Sequence, residues 1–174
     1  SFFYFDYNAN GERVYRKAKK RYIVNPYATI FSNDNYYLVC YSDKYKNVTH
    51  YRIDRMESVE VESDNITPTS CISSFNISEH RKQVFGMFVG KEERVSIVIE
   101  NSLIDAVMDK FGEDVQLEDR GNGTAVLNIS VQISPMFIAW CCSFGDKLNV
   151  ISPQKVITEI KNYITQLKDI YGIN

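Results

Sequence analysis

The 174-residue chain has one tryptophan, two histidines, four cysteines and four prolines, and each scarcity removes a class of protein. Cys40, Cys71, Cys141 and Cys142 contain no Cys-x-x-Cys pair, and two histidines do not complete a zinc site around them. They are too few and too irregularly spaced for a disulfide framework, so they read as buried thiols of a cytoplasmic protein. The longest unbroken apolar run is the seven residues Met136–Cys142. A membrane-spanning helix needs about twenty, so no membrane partner is expected. Ser1–Asp6 lacks the basic and apolar regions of a secretory signal. The phosphate-loop, dinucleotide-binding, zinc-protease and nucleophile-elbow motifs are all missing. Gly121-Asn122-Gly123 is hairpin chemistry, with no cofactor or metal implied. His50 is a candidate base without an orienting carboxylate beside it, and the expectation is a protein that is not an enzyme.

What is present is unevenly distributed. Residues 1–62 hold ten Lys/Arg against eight Asp/Glu, whereas residues 63–174 hold ten against fourteen. Arg13, Arg16, Lys17, Lys19, Lys20 and Arg21 concentrate the positive charge, and ten of twelve tyrosines precede residue 52. Aromatic rings interleaved with cations suit a surface that stacks bases and holds phosphates. Tyrosine also has good strand propensity, and a basic run can be a solvated face, so both readings stay open.

The first third alternates and turns like a β protein. Strands are expected over Phe2–Tyr7, Arg13–Val24, Tyr27–Phe31, Tyr36–Tyr41, Val48–Ile53 and Glu57–Val61, with polar turns at Asn8–Gly11, Ser32–Asn35 and Lys44–Asn47. Short strands with turns every eight to twelve residues argue a small barrel or sandwich. A Ser/Thr/Asn-rich linker follows at Ser63–Ser74, then a short helix from Ser78 carrying Val84, Phe85 and Phe88. From Arg94 the pattern becomes β-α-β-β-α-β-α. Its strands are Val95–Ile99, Val115–Glu118, Thr124–Ile133 and Leu148–Ile151. One helix carries Leu103, Val107 and Phe111 and stops at Gly112, another spans Met136–Ser143, and the last runs Gln154–Tyr171. Val156, Ile157, Ile160, Ile164, Leu167 and Ile170 form one apolar stripe on that last helix. Met136–Trp140 reads as helix core. The order is that of a ferredoxin-like split βαβ layer with a trailing helix.

The stretch Asn35–Val61 carries the most specific signal. Tyr36-Tyr37-Leu38, a short turn, then Tyr51-Arg52-Ile53-Asp54-Arg55-Met56 and Ser58-Val59-Glu60-Val61 resemble the core signature of the WYL domain of bacterial transcriptional regulators. Tyr36 departs from that signature, standing where the family name implies Trp. The resemblance extends upstream to Phe5–Arg13 and Asn25-Pro26-Tyr27. Downstream, Phe85–Phe88, Val95–Ile99 and Ser134–Trp140 resemble the extension that follows WYL domains. It implies an α+β protein in which a small Sm-like, SH3-type β-barrel at 1–62 is the ligand sensor. A linker and connecting helix would occupy 63–93, and the ferredoxin-like βαββαβ(α) domain 94–174. The family usually carries a helix-turn-helix domain that binds promoter DNA. No such pattern precedes Phe2, so this chain is expected to be the effector-sensing portion, and a homodimer.

Side chains alternate along a strand, so Tyr37, Val39 and Tyr41 share one face, and His50, Arg52 and Asp54 share a face of the next strand. Should the faces coincide, rings lie beside a guanidinium and an imidazole. Arginine holds phosphate bidentately, and Asp54 could orient a guanidinium. The expected ligand is single-stranded nucleic acid or a nucleotide-like effector, held by Tyr27, Tyr37, Tyr41, His50, Arg52 and Arg55. The competing readings make Tyr37 core and Arg55–Asp54 an internal ion pair, leaving a dimerisation or interaction module.

Overall fold

The computed structural model describes residues 1–42, 47–66 and 76–173. Cys71, Lys44–Lys46 of the expected turn and most of the Ser63–Ser74 linker fall outside them. The chain divides into two compact units, Ser1–Ile77 and Ser78–Asn174.

The first unit contains β1 (Phe3–Tyr7), β2 (Arg13–Tyr15), β3 (Asn25–Ser32), β4 (Asn35–Ser42), β5 (Asn47–Arg52) and β6 (Met56–Glu57). They form two three-stranded antiparallel sheets, ordered β2-β1-β6 and β3-β4-β5. Among the described residues the pairings do not close into a barrel. Asn33 and Asp34 both take positive φ, 47° and 59°, which joins β3 to β4 by the two-residue turn whose twist matches a hairpin. The core of this unit is aromatic: Phe2, Tyr4 and Tyr22 are buried together, with Val24, Leu38, Tyr51 and Met56 packed against them.

Two strand expectations are corrected here. The strand expected over Arg13–Val24 stops at Tyr15, and Arg16–Lys19 makes a tight turn with Lys17, Ala18 and Lys19 at positive φ. Its cations turn over aromatic rings instead of alternating: Lys17 Nζ lies 3.6 Å from the Tyr22 ring centre and Lys19 Nζ 4.5 Å from that of Tyr15. The strand expected over Glu57–Val61 shrinks to Met56–Glu57, because Ser58 takes φ 51° and leaves Val59 and Val61 exposed.

The second unit contains α1 (Ile77–Gln83), β7 (Lys91–Glu100), α2 (Ile104–Phe111), β8 (Leu117–Asp119), β9 (Thr124–Ile133), α3 (Pro135–Cys142), β10 (Leu148–Ser152) and α4 (Gln154–Tyr171). The β-α-β-β-α-β-α order is the one read from the sequence, and the antiparallel sheet runs β10-β7-β9-β8. On β7, Val95, Ile97 and Ile99 face inward by strict alternation, meeting Ala125, Leu127 and Val131 of β9 in one continuous core. α3 begins as its sequence dictates: the Ser134 hydroxyl accepts from the Phe137 N–H at 3.2 Å, and Pro135 occupies the first turn. Phe137 and Ile138 are buried and Trp140 packs against the core, so the Met136–Trp140 segment is core except at Met136, which is exposed.

Two further expectations fail in this unit. The helix read from Ser78 ends at Gln83, and Val84, Phe85 and Phe88 lie beyond it. Phe85 and Phe88 bridge across Gly86 and Met87, both at positive φ, while the Phe85 ring meets Phe111, Phe137 and Trp140. The apolar stripe of α4 is buried only at its start: Val156 is fully covered, whereas Ile164 is 50% and Ile170 74% exposed. Eighteen helical residues span about 27 Å, and the five-residue β10 only about 17 Å, so the helix outruns the strand it packs on.

Candidate functional site

The register of β3-β4-β5 decides which side chains meet. Tyr37 pairs with Arg52 and with Ile30, Val39 pairs with His50 and Ala28, and Tyr41 pairs with Val48 and Asn25. Residues directly opposed in an antiparallel pair project from the same face. Tyr37, Val39, Tyr41, His50 and Arg52 therefore do share one face. Tyr37, His50 and Arg52 are half-buried on it, whereas Val39 and Tyr41 are buried. Tyr27 sits at the bulge where the β3–β4 register shifts between Pro26 and Ala28. The opposite face, with Leu38 and Tyr51, packs on the aromatic core, and the Tyr51 ring lies 5.2 Å from that of Phe2 and 5.3 Å from that of Tyr4. Burial pushes the Tyr51 hydroxyl up to about 12. Tyr4, Tyr22 and Tyr51 are thus structural, and Tyr37 is placed differently from them.

Asp54 and Arg55 leave the strand and form the short turn Ile53–Arg55. The Arg52 backbone N–H donates to the Tyr4 hydroxyl at 3.0 Å, anchoring the end of β5 to β1. The Arg52 side chain donates through Nε and Nη2 to both Asp54 carboxylate oxygens, at 3.1 and 2.8 Å. Nη2 also donates to the Asn35 side-chain oxygen. The guanidinium holds the Asp54 carboxyl below its ordinary value, and the carboxylate raises that of Arg52 in turn.

Arg55 pairs with Asp6 on β1, its Nη1 donating at 3.1 Å. Arg16 donates to the same carboxylate through Nε and Nη2. Two guanidiniums thus share one carboxylate, which lies below its ordinary pKa chiefly through the Arg16 hydrogen bond. In the basic run, Arg13 pairs with Glu57, Arg16 with Asp6 and Arg21 with Glu60. Lys17, Lys19 and Lys20 have no carboxylate partner among the described residues.

Two partners of the site escaped the sequence reading. Asn35 holds Arg52 from seventeen residues upstream, and Asp6, forty-nine residues before Arg55, joins it to Arg16. Neither has a local signal, because strand register and sheet packing create both contacts. No group of three or more His, Cys, Asp or Glu side chains is arranged to hold a metal ion among the described residues. No helix there is long and apolar enough to cross a membrane.

Comparison with known proteins places the two units. The WYL domain family matches residues 4–61, and the WCX domain family matches residues 91–167. No curated protein matches the chain. Among solved structures, the proteasome accessory factor B/C (PafBC) of Arthrobacter aurescens is similar at 15% identity and a TM-score of 0.35, covering 91% of this chain. A CRISPR Cas-related protein is similar at 15% identity and a TM-score of 0.48, covering 99% of this chain. The chain spans 23% and 48% of the length of those two structures. With both family matches in sequence order, the chain carries a WYL domain followed by a WCX domain.

Proposed function

We propose that this chain is the effector-sensing portion of a transcriptional regulator. In this reading, residues 1–62 form an Sm-like, SH3-type barrel from the two three-stranded sheets. It binds a short single-stranded nucleic acid or a nucleotide-like effector, without catalysing a reaction on it. The observation that carries the proposal is the register of β4 and β5, which sets the Tyr37 ring opposite the Arg52 guanidinium, one pair along from His50. Rings stack bases at about 1–3 kcal/mol each, and arginine supplies a planar fork for phosphate. Arg55 borders the same end of β5, and Tyr27 and Tyr41 complete the set. Ligand binding biases the geometry of a cytoplasmic homodimer and so positions a promoter-binding helix-turn-helix domain of the full-length protein. Such a bias requires different ligand affinity in the two arrangements.

The test is fluorescence anisotropy with labelled short single-stranded DNA and RNA, at about 50 and 200 mM salt. A site neutralising Z phosphates loses affinity with a log–log slope near −0.7Z. Binding with such a slope, weakened by Arg52→Ala with the fold retained, supports the proposal. Absence of binding to oligonucleotides and to dinucleotides overturns it.

A second reading is favoured by one observation, the exposed apolar half of α4 at Ile164, Leu167 and Ile170. Here the chain serves chiefly to dimerise, and the arginine pairs are structural. This reading expects a melting temperature that rises with protein concentration and no ligand.

A further inference from the structure

The donors of Arg52 can be accounted for one by one. A guanidinium has five N–H groups in a planar fork, and it holds an oxyanion bidentately along the Nε–Nη2 edge or the Nη1–Nη2 end. Asp54 occupies the first edge with both of its oxygens, at 3.1 and 2.8 Å. Asn35 takes the remaining Nη2 donor, which spoils the second edge. Only Nη1 is left, and a single nitrogen gives a phosphate no fork. Asp54 is the more exposed partner, with 54% of its side chain accessible against 28% for Arg52. It stands on a three-residue turn, while the Arg52 backbone is pinned to Tyr4. The carboxylate can therefore swing away without disturbing the core.

We propose that Asp54 is an internal competitor of the ligand, holding the edge of Arg52 that a ligand phosphate needs, so that the effector binds by displacing it. The inference rests on the sensing role proposed above and adds a regulatory contact to the same site. The ligand-free sensor is then latched, and an occupant without an oxyanion to exchange for the carboxylate does not open it. Asp54 is a tuning residue acting through Arg52, and it need not touch the ligand.

The test is a double-mutant cycle on the full chain, using anisotropy with a labelled short oligothymidylate. Asp54→Asn keeps the shape and removes the charge. An exposed ion pair contributes about 0.2–1 kcal/mol, so releasing it should tighten binding up to about five-fold. In the Arg52→Ala background the same substitution should give no gain, because nothing is left to release. Weaker or unchanged binding by Asp54→Asn overturns the latch and makes Asp54 a support for the guanidinium, with the sensing role intact. A gain that persists without Arg52 also overturns it, since the charge then acts on the ligand generally. Should no variant bind the oligonucleotide, the single-stranded nucleic-acid reading of the ligand fails, and the cycle is repeated with pyrophosphate by calorimetry. An Arg52-dependent gain there keeps the latch, and its absence removes it.

Discussion

The two units of this chain solve the problem of an interior in different ways. The WCX unit alternates aliphatic residues along β7 and β9 and covers them with Val107, Phe137 and Val156 from three helices. Among the described residues its buried polar side chains are few: His80 and the Ser134 cap of α3, joined by the half-buried Lys110, whose ammonium lies over the Phe85 ring. The WYL unit has small sheets and a compact cluster of Phe2, Tyr4 and Tyr22, with the Tyr51 ring against all three. It seats cations on rings, with the Arg13 guanidinium 4.5 Å from the Phe5 ring centre and that of Arg21 4.8 Å from Phe3. It also ties strands together through carboxylates that serve arginines from distant segments. The contrast shows where binding chemistry can reside. The larger core of the WCX unit buries aliphatic and aromatic side chains with few charges among them, whereas the small aromatic cluster of the WYL unit leaves its arginine–carboxylate pairs half-exposed, within reach of a ligand.

The sharpest way to break that contrast is a cavity in the scaffold. Phe137 is fully buried and touches Phe85, so Phe137→Ala should lose about 3–5 kcal/mol in urea unfolding. A loss below about 1 kcal/mol would mean the WCX core is no tighter than its partner. Gly90 comes next. A Cβ there would lie 1.8 Å from the Ile133 carbonyl oxygen, so Gly90→Ala must shift the start of β7 and should lose about 1–3 kcal/mol.

In the WYL unit the comparable lever is strain. Ala18 sits at φ 49° and ψ 44° between two lysines that are also left-handed. Left-handed backbone disfavours an L-residue by about 1–2 kcal/mol, so Ala18→Gly should raise stability by up to about 1 kcal/mol after its entropy penalty. A drop in melting temperature would show that the turn is not strained.

A gentler effect is expected at Lys110, whose Nζ donates to the Arg81 and Val84 carbonyls at 3.0 and 2.7 Å and lies 4.2 Å from the Phe85 ring centre. Burial lowers its pKa to about 8, against roughly 10.4 in an unfolded chain. The folded pKa is the lower one, so the unfolded chain binds more protons between these values, and stability contributed here rises with pH across that window. The melting-temperature difference between wild type and Lys110→Met should therefore grow from pH 8 to pH 10. A flat difference would place the ammonium in an ordinary aqueous setting. The smallest stability change belongs to Arg52→Ala, at about 0.2–1 kcal/mol for a pair with an exposed carboxylate, even as ligand binding falls. A large loss would make Arg52 part of the framework and weaken the division between units.

Legibility in the sequence tracked how local each cause was. The limits of α4, the capped start of α3 and the end of α2 at Gly112 follow from Pro153, Ser134-Pro135 and the glycine themselves. The Ser32–Asn35 hairpin is legible for the same reason. The strand reading failed after Tyr15 because cation–ring contacts with Phe3, Tyr4 and Tyr22 outweigh alternation, and two of those rings, Phe3 and Tyr4, come from β1. The helix reading failed at Phe85 because a glycine turn lets the ring join the core. In the candidate site, alternation placed Tyr37 and Val39 on one side of their strand. Whether Arg52 and His50 faced that side depended on register, which a one-residue slip would reverse.

By itself, the sequence determined the two-part organisation of the family, the element order of the second unit and the identity of the charged and aromatic residues available to the first. Each is set by side-chain pattern, capping residues or motif order, all of which act over a few positions. Only the tertiary structure decided that Tyr37 meets Arg52, that Asn35 joins Asp54 in holding that arginine, and that Asp6 serves both Arg16 and Arg55. Those contacts join residues up to forty-nine positions apart. They exist because antiparallel register and aromatic packing bring distant strands to one place, and no local pattern encodes that meeting.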